Sequence, residues 1–438
     1  MMTDERIEYF LDNETITDNE HLELVNHYFT ADKRDWYKEV DGEKRWNQRK
    51  VTQFWKILRK HYMPFCKKND LYYFRKFVFP TFETTIDPAN LDVITHNGDF
   101  WEQDEKRVFS SAADFLGARF LSNVMLSEVT FQKLANLSYT VFSESANFQM
   151  CIFDNQLFMQ KSIFKKHANF FKCHFKGHTL IKQAEFLHTA SFQYSIFEEA
   201  LQIEEVLFKN EAKFQGTRFN KAVFSDLKEA PKLDFSNTRL PKSLAMKRVN
   251  LTKVNFTQAD LTEIQFKECD WGNVRSRIRL NGEKGIRKTK EGCRSLEELY
   301  RQLKMNFDNN KDWELSSKAY VSEMDMRKRR LFKEWNILYW FLYWFYSTFG
   351  GYTRHVFKPL GSLLATIVIF SLWYLRIECD LSKAFQRGLY GALPKLFTVT
   401  VPEEDMFCGN WLIVSNIEGI LGATFLTFFI LALRKRFR

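Results

Sequence analysis

The stretch of sequence that decides the fold spans residues 146–178 and reads ANFQMCIFDNQ, LFMQKSIFKKH and ANFFKCHFKGH. Each of these three units is eleven residues long, with an apolar residue at its third position and phenylalanine at its eighth position. Apolar residues that alternate at steps of five and six fit neither the face of an α-helix nor the simple alternation of a strand. An internal repeat of this kind indicates a solenoid, in which successive short units stack on one another.

A lattice of phenylalanines continues through ten consecutive units at a step of eleven residues. A second apolar lattice lies five residues earlier in each unit and extends from Phe115 to Phe214. One short unit buries too little apolar surface to be stable alone, so stacked coils must share a continuous core. If two units form one coil, phenylalanines two units apart stack directly. The predicted core residues are Phe120, Phe131, Phe142, Phe153, Phe164, Phe175, Phe186, Phe197, Phe208 and Phe219.

A second repeat block follows at a step of five residues, with apolar residues from Leu251 to Trp271, each preceded by Asn, Asp or Gln. This block resembles the pentapeptide-repeat family, whose unit is Ala-(Asp/Asn)-(Leu/Phe)-x-x, as in Ala259-Asp260-Leu261. The resemblance covers residues 109–272, where the first block replaces a period of ten with eleven. It implies a right-handed β-solenoid of square cross-section, with the central Leu or Phe of each unit directed inward.

The charge of the chain is unevenly distributed. The net charge is +10, but residues 109–272 contain 20 Lys and Arg against 17 Asp and Glu. Some pentapeptide-repeat proteins resemble DNA through an acidic surface and inhibit topoisomerases. The near-neutral solenoid argues against that function, and we expect no nucleic-acid partner. The excess of positive charge lies after residue 273, where a basic linker is either simply solvated or attracts anionic lipid headgroups.

The sequence predicts five regions of a mixed fold, in which a β-solenoid is combined with helices. A helix beginning at Ser295 and a second helix form the neck. The aromatic segment 335–349 fits either the headgroup region of a membrane or a buried core helix. The predicted regions are a mainly helical cap (1–107), the solenoid (108–272), the basic linker (273–294), the neck with its interfacial aromatic helix (295–356) and a two-span transmembrane domain (357–438).

Two segments, 359–377 and 411–433, are apolar and long enough to cross the ~30 Å of hydrocarbon in a membrane. Basic residues flank the outer side of each segment, so we expect both termini in the cytosol and the chain in a bacterial inner membrane. The connecting loop would then face an oxidising compartment. Cys379 and Cys408 stand at its two ends, either as a disulfide or as two free thiols.

The C-terminal part, from residue 295 onward, resembles pentapeptide-repeat proteins that carry an ion-channel-like domain. The matching motifs are Tyr-Arg-Gln-Leu-Lys at 300–304, Ser-Glu-Met at 322–324, Tyr-Ser at 346–347 and Ile-Glu-Gly-Ile-Leu-Gly-Ala at 417–423. This resemblance implies a relative of the potassium-channel pore, which assembles as a tetramer. The segment 389–401 would then re-enter the bilayer as a pore helix.

The predicted pore departs from the Thr-Val-Gly-Tyr-Gly filter of potassium channels. Its constriction contains no glycine, so we expect weak selectivity among cations, set by acidic residues at the outer mouth. A buried carboxylate in the second span is expected to face the pore loop, bonded to its backbone or to a threonine. The predicted site residues are Thr398, Val399, Thr400 and Val401 at the constriction, Glu403, Glu404 and Asp405 at the mouth, and Glu418 in the span.

These patterns lead to two functional hypotheses. The first is an oligomeric ion channel or pore, gated by its cytosolic solenoid and used as a housekeeping channel or as a membrane-depolarising effector in phage defence. The second is a membrane-anchored scaffold whose solenoid binds a protein partner. The sequence contains no Gly-rich phosphate loop, metal-ligand cluster or nucleophile motif, so we expect neither an enzyme nor a bound cofactor or metal.

Overall fold

The computed structural model describes residues 2–82, 99–101, 105–272, 277–354, 356–378, 380–393 and 410–436. The chain forms two compact units. The first comprises Met1–Glu283 and Met305–Lys311, and the second comprises Lys284–Lys304 and Asp312–Arg438. The first unit contains a β-solenoid with N-terminal helices, and the second contains only helices among its described elements.

The N-terminal part is mainly helical and packs against the beginning of the solenoid. Side-chain caps start its helices, since Thr17 forms a capping box with Glu20 and Asn47 accepts a hydrogen bond from the Lys50 amide. The indole of Trp55 lies 6.1 Å from the ring of Phe79 between ring centroids. The elements are α1 (Asp4–Asp12), α2 (Asp18–Glu23), a π-helix (Leu24–Phe29), a 3₁₀ turn (Arg34–Trp36), a hairpin (Tyr37–Val40 and Glu43–Trp46), α3 (Gln48–Ile57), a second π-helix (Leu58–Tyr62) and α4 (Met63–Lys68).

The predicted β-solenoid is confirmed, with about seven turns of short parallel strands. Strands two units apart pair with each other, as Phe142 does with Phe164 and Ala146 with Ala168. Two eleven-residue units therefore form one coil. Two sheets contain six strands each, and a third contains 13 strands because its longest members continue around a corner of the coil.

The strands of the solenoid are short because each face of a coil accommodates only a few residues before the chain turns. The first six-stranded sheet contains Val78–Phe79, Arg119–Phe120, Val141–Phe142, Ile163–Phe164, Glu185–Phe186 and Leu207–Phe208. The second contains Val124–Met125, Ala146–Asn147, Ala168–Asn169, Ala190–Ser191, Glu211–Lys213 and Lys232–Asp234. The third contains Leu71–Tyr73, Val108–Phe109, Ala112–Asp114, Thr130–Phe131, Ala135–Asn136, Ile152–Phe153, Leu157–Gln160, His174–Phe175, Thr179–Lys182, Ile196–Glu204, Arg218–Ser225, Leu244–Lys247 and Gln265–Lys267.

The phenylalanine lattice forms two stacked columns inside the coils, and all ten of its members are buried. The rings of Phe142 and Phe164 are nearly parallel, with centroids 4.5 Å apart. In the opposite column, Phe175 and Phe197 are 4.4 Å apart. The ring spacing follows the distance between adjacent strands, so each coil adds one ring to each column.

One corner in each eleven-residue unit places a residue in the left-handed backbone region, with φ between 52° and 70°. In several units the next residue directs a small polar side chain inward, and Thr140 and Ser162 donate hydrogen bonds to the carbonyls of Phe115 and Leu137. Each of these carbonyl oxygens also accepts a hydrogen bond from a backbone amide of the turn, that of Ala118 or Thr140, so the side chain adds a second bond at the corner. The left-handed residues are Gly117, Glu128, Tyr139, Met150, Lys161, Lys172, Gln183, Tyr194, Glu205 and Gly216.

The solenoid begins earlier in the chain than residue 108, because Leu71–Tyr73 and Val78–Phe79 already pair with its strands. At its other end, the buried side chain of Asn306 donates to the carbonyls of Leu261 and Ile264, at 2.9 and 2.6 Å. These bonds cap the last coil, on which no further strand stacks among the described residues.

The second unit is built from helices whose bounds differ slightly from those predicted. The helix expected to begin at Ser295 begins at Lys290, because the Thr289 hydroxyl accepts a hydrogen bond from the Gly292 amide and caps it. A twelve-residue helix, α10, also precedes the predicted constriction and includes residues 389–392 of the predicted pore segment. The helices are α5 (Glu283–Ile286), α6 (Lys290–Asn309), α7 (Trp313–Lys333), α8 (Ile337–Thr348), α9 (Phe357–Glu378), α10 (Leu381–Ala392) and α11 (Asn410–Arg436).

Candidate functional site

Two helices of the second unit are long and apolar enough to cross a membrane. The candidate spans are Phe357–Arg376 in α9 and Asn416–Arg434 in α11, which contain 20 and 19 residues. At 1.5 Å per residue, a helix of this length extends about 30 Å, which matches the hydrocarbon core of a bilayer. These bounds agree closely with the two segments predicted from hydropathy.

Helix α10 packs closely against both candidate spans, and glycines permit the approach. A Cβ atom added to Gly388 would lie 2.2 Å from the Ser371 hydroxyl oxygen in α9. One added to Gly422 in α11 would lie 1.9 Å from the Ala392 carbonyl oxygen in α10. Both distances are shorter than any van der Waals contact, so a larger residue would separate the helices. The glycines therefore position α10 between α9 and α11.

Glu418 lies at the junction of the three helices and is fully buried. The Tyr374 hydroxyl of α9 donates a hydrogen bond of 2.8 Å to its Oε2 atom. A Cβ atom added to Gly391 of α10 would lie 2.2 Å from the same oxygen. The carboxyl group thus contacts α9 through a hydrogen bond and α10 through close packing, on the side where α10 leads into the predicted pore segment.

Tyr374 is a site residue that the sequence analysis missed. A tyrosine within an apolar span needs an acceptor for its hydroxyl group, and Glu418 is the carboxyl group nearest the middle of the other span. The sequence therefore shows that each candidate span contains a large polar side chain that needs a partner, although it does not show that the two pair. In 389–393, the described part of the predicted pore segment, Gly391 packs on the carboxyl group without a hydrogen bond, and the rest of that segment lies outside the described residues.

An apolar cluster holds the three helices together on the other side of this junction. It contains Leu363 and Ile367 of α9, Ala392 of α10 and Phe425 of α11. Phe345 of α8 stacks on Phe425, with ring centroids 5.8 Å apart. The aromatic helix α8 is therefore attached to the span-forming helices, while none of its own residues is buried.

A charged cluster joins α6 to α7 around Glu297, whose side chain is almost completely buried. Its carboxylate accepts from the Arg330 Nε atom at 2.9 Å and lies 3.1 Å from the Arg327 Nε atom. Arg301 bonds both Glu297 and Glu323. The hydrogen bond that Arg330 donates to Glu297 is the largest cause of the raised pKa of Arg330. Several arginines around one buried carboxylate form a network in which each partner depends on the others.

Helix α7 also contacts the aromatic helix α8 through polar groups. Arg327 donates to the Tyr343 hydroxyl at 3.2 Å, and the Lys328 ammonium group lies 3.3 Å from the Ser347 hydroxyl. Since Arg327 also contacts Glu297, one set of polar contacts connects α6, α7 and α8. This set, together with the apolar cluster at Phe425, connects the neck helices of the second unit to α11.

Most of the predicted pore residues lie beyond the described part of the chain. Thr398, Val399, Thr400, Val401, Glu403, Glu404 and Asp405 belong to this group, and so do Cys379 and Cys408. The five cysteines that the structure does describe are free thiols. Within the described ranges, no group of three or more His, Cys, Asp or Glu side chains is arranged to hold a metal ion.

Comparison with known proteins identifies the repeat region alone. Residues 126–174 match the family model described as pentapeptide repeats (9 copies). No curated protein and no solved structure matches the chain significantly. The matched residues lie within the solenoid and do not extend to α6–α11. The β-solenoid of this chain is thus of the pentapeptide-repeat kind.

Proposed function

We propose that the chain is the subunit of an oligomeric membrane ion channel, weakly selective for cations and gated by its cytosolic part. The observation that carries this proposal is the junction at Glu418, where a buried carboxyl group in one candidate span meets Tyr374 in the other and Gly391 in α10. Ionisable groups within spans are costly and are usually retained at pathways, cavities or subunit contacts.

A simple membrane anchor would not need this arrangement. Two apolar helices suffice to hold a protein in a bilayer, and a buried carboxyl group only lowers their stability. The close approaches at Gly388 and Gly422 likewise have no purpose in an anchor, but they set a third, short helix between two spans. Two spans with a short helix between them are the layout of a tetrameric pore subunit.

The proposed conduction path is formed by the residues that follow α10. Four copies of Thr398–Val401 would form the constriction, and four copies of Glu403, Glu404 and Asp405 would surround the outer mouth. Rings of carboxylates favour cations, and a constriction without glycine gives no carbonyl filter. In this arrangement the spans lie in a bacterial inner membrane, with both termini in the cytosol.

Gating by the cytosolic part is supported by the contacts of α6. The side chain of Asn306, near its C-terminal end, bonds the last coil of the solenoid. The arginines that contact Glu297, nearer its N-terminal end, connect α6 with α7 and so with α8. A change at the solenoid that alters α6 would therefore alter the contacts of α6 with α7. A channel that is gated in this way could serve as a membrane-depolarising effector in phage defence.

Ion flux from liposomes tests the proposal. The purified full-length chain, reconstituted in potassium-loaded liposomes, should dissipate an imposed potassium gradient, and Glu418→Leu should reduce that flux. Gly361→Ala is the matched control, because a Cβ atom at Gly361 would meet open space. A correctly assembled oligomer that gives no flux with any tested trigger would contradict the channel.

The second candidate function is a membrane-anchored scaffold that binds a protein partner through the solenoid. It is favoured by one corner of the solenoid, where Met150, Lys172 and Tyr194 occupy the same position in three successive coils. Met150 and Tyr194 are exposed, and Tyr194 contacts Phe171 edge-on at 5.7 Å. A partner that binds the full-length chain but not its Met150→Ser/Tyr194→Ser variant, without any ion flux, would favour this function.

A further inference from the structure

A basic–aromatic corner lies where α7 ends and α8 begins. Its cationic half consists of exposed lysines, and its apolar half consists of large apolar side chains that are each more than half exposed. The two halves are adjacent, because Lys333 lies between Phe332 and Trp335 in the chain and its side chain bonds Lys288 in the loop before α6. The basic–aromatic corner comprises Lys288, Lys290, Lys333, Phe332, Trp335 and Leu338.

Contacts within the second unit bring the three lysines together. The Lys333 ammonium group donates a hydrogen bond of 2.7 Å to the Lys288 carbonyl oxygen. The Lys290 ammonium group lies 3.6 Å from the carboxylate of Glu334, and Glu334 directly follows Lys333 in the chain. Buried Cys293 lies close by, and although burial raises the pKa of its thiol, Lys333 and Arg329 oppose that rise. These contacts place several positive charges around one turn of α7.

Few negative charges offset this group. Glu334 is shared between Lys290 and Arg330, and Asp325 is shared between Lys328 and Arg329. Within the described part of the chain, the side chains of Lys288 and Lys333 make no ion pair. The corner therefore has a positive excess that is directed to solvent.

The apolar half is unusually exposed. Trp335 is 85% exposed, Leu338 is 69% exposed and Phe332 is 56% exposed. Trp335 occupies a left-handed turn with a φ of 55°, which sharply redirects the chain between α7 and α8. Phe332 contacts Trp340 of α8, with ring centroids 5.4 Å apart. Contiguous exposed apolar side chains of this kind mark surfaces that interact with a partner or a membrane.

We propose that the basic–aromatic corner binds anionic phospholipid headgroups at the cytosolic surface of the membrane. Lysines attract the headgroup charge, and an adjacent indole fits the boundary between headgroups and hydrocarbon. The position in the chain agrees, since α8 leads directly into the candidate span of α9. The inference rests on the membrane placement in the proposed function, and not on ion conduction.

Lipid-specific fluorescence quenching tests this inference. The full-length chain in neutral detergent is titrated with phosphatidylglycerol or phosphatidylcholine that carries brominated acyl chains, and the quenching of tryptophan is recorded. The parent should prefer phosphatidylglycerol, and Trp335→Phe should remove much of the quenched signal. Lys288→Gln/Lys290→Gln/Lys333→Gln should weaken that preference on the order of 100-fold, since each lysine near an anionic surface contributes about a factor of five.

Two control variants distinguish the effect of the basic–aromatic corner from effects of net charge and of folding. The variant Lys288→Arg/Lys290→Arg/Lys333→Arg retains the charges and should retain the preference. The variant Lys209→Gln/Lys221→Gln/Lys232→Gln removes three exposed lysines from the solenoid and should also retain it. Equal quenching by both lipids, or a preference that the corner Gln variant keeps, would overturn the inference. A chain that prefers phosphatidylglycerol without conducting ions would uphold the inference and count against the channel.

Discussion

The Tyr374 hydroxyl of α9 donates a hydrogen bond of 2.8 Å to the Glu418 carboxylate of α11, and this bond joins the two candidate spans directly. Both side chains are buried. In hydrocarbon, neither group has water as an alternative partner, so the bond specifies how the two helices pack. Because Gly391 packs on the same carboxylate, the bond also determines where α10 sits.

We expect this pair to be energetically coupled. Tyr374→Phe leaves the carboxyl group without its donor and should destabilise the second unit by about 1–3 kcal/mol, the usual cost of an unsatisfied buried polar group. Glu418→Gln retains an acceptor for the Tyr374 hydroxyl and should lower the free energy of unfolding less than Glu418→Leu, which leaves that hydroxyl without an acceptor. Thermal unfolding of the full-length chain in detergent measures these differences.

The double variant Tyr374→Phe/Glu418→Leu removes both polar groups together and should be more stable than the sum of the single effects predicts. Tyr339→Phe is the matched control, because that tyrosine is exposed, and its unfolding temperature should not change. Strictly additive effects of the two substitutions would mean that the bond does not determine the packing.

The glycines around α10 lead to a second prediction. Gly388→Ala or Gly422→Ala places a Cβ atom against the Ser371 hydroxyl oxygen or the Ala392 carbonyl oxygen, so α10 must move away from its neighbours. Overpacking of this kind typically costs about 1–3 kcal/mol. A Cβ atom at Gly361 in α9 would meet open space, and alanine has a higher helix propensity than glycine. Gly361→Ala should therefore be neutral or stabilising. Unfolding temperatures that do not separate these variants would contradict the close packing.

Much of the solenoid could be predicted from the sequence because its period is explicit. The step of eleven residues determines which phenylalanines share a column, and the pairing of Phe142 with Phe164 follows from two units per coil. The spans were predictable because length and hydropathy define them. In both cases one repeated local property determines the structure.

Other features depend on contacts that a linear pattern does not contain. The strands Leu71–Tyr73 and Val78–Phe79 precede the visible repeat, and they join the solenoid only through pairing with later coils. The corner residues were not recognisable either, since Glu128 and Lys161 adopt a backbone region usually associated with glycine. The bond between Tyr374 and Glu418 joins residues far apart in the chain, so hydropathy alone did not indicate it.

The corner conformation makes a third prediction, on stability. Glu128 is exposed and has a φ of 60°, so Glu128→Gly removes a steric penalty and should stabilise the solenoid by about 0.5–1 kcal/mol. Lys133 is also exposed but lies outside the left-handed region, and Lys133→Gly should destabilise by a similar amount through added chain entropy. Hydrogen exchange of the solenoid amides in the two variants should therefore shift in opposite directions.

The phenylalanine columns lead to a fourth prediction. Phe164 stacks between Phe142 and Phe186 and is fully buried, so Phe164→Ala should cost about 3–5 kcal/mol. Phe164→Asp adds a buried charge and should prevent the neighbouring coils from forming. Tyr194→Ala, at a side chain that is 56% exposed, is the control. Unchanged protection of the amides around residue 164 from hydrogen exchange would contradict a continuous column.

The last prediction concerns ion selectivity and follows from the proposed function. Four copies of Glu403, Glu404 and Asp405 would place roughly a dozen carboxylates at one opening, which concentrates cations there. The segment from Thr398 to Val401 contains no glycine, so its carbonyl groups cannot readily form a potassium filter. Sodium and potassium should therefore permeate about equally, and a bilayer recording under a bi-ionic gradient should give a reversal potential near zero. The variant Glu403→Gln/Glu404→Gln/Asp405→Asn should shift the pore toward anions, whereas a strong potassium preference in the parent would refute selectivity by charge.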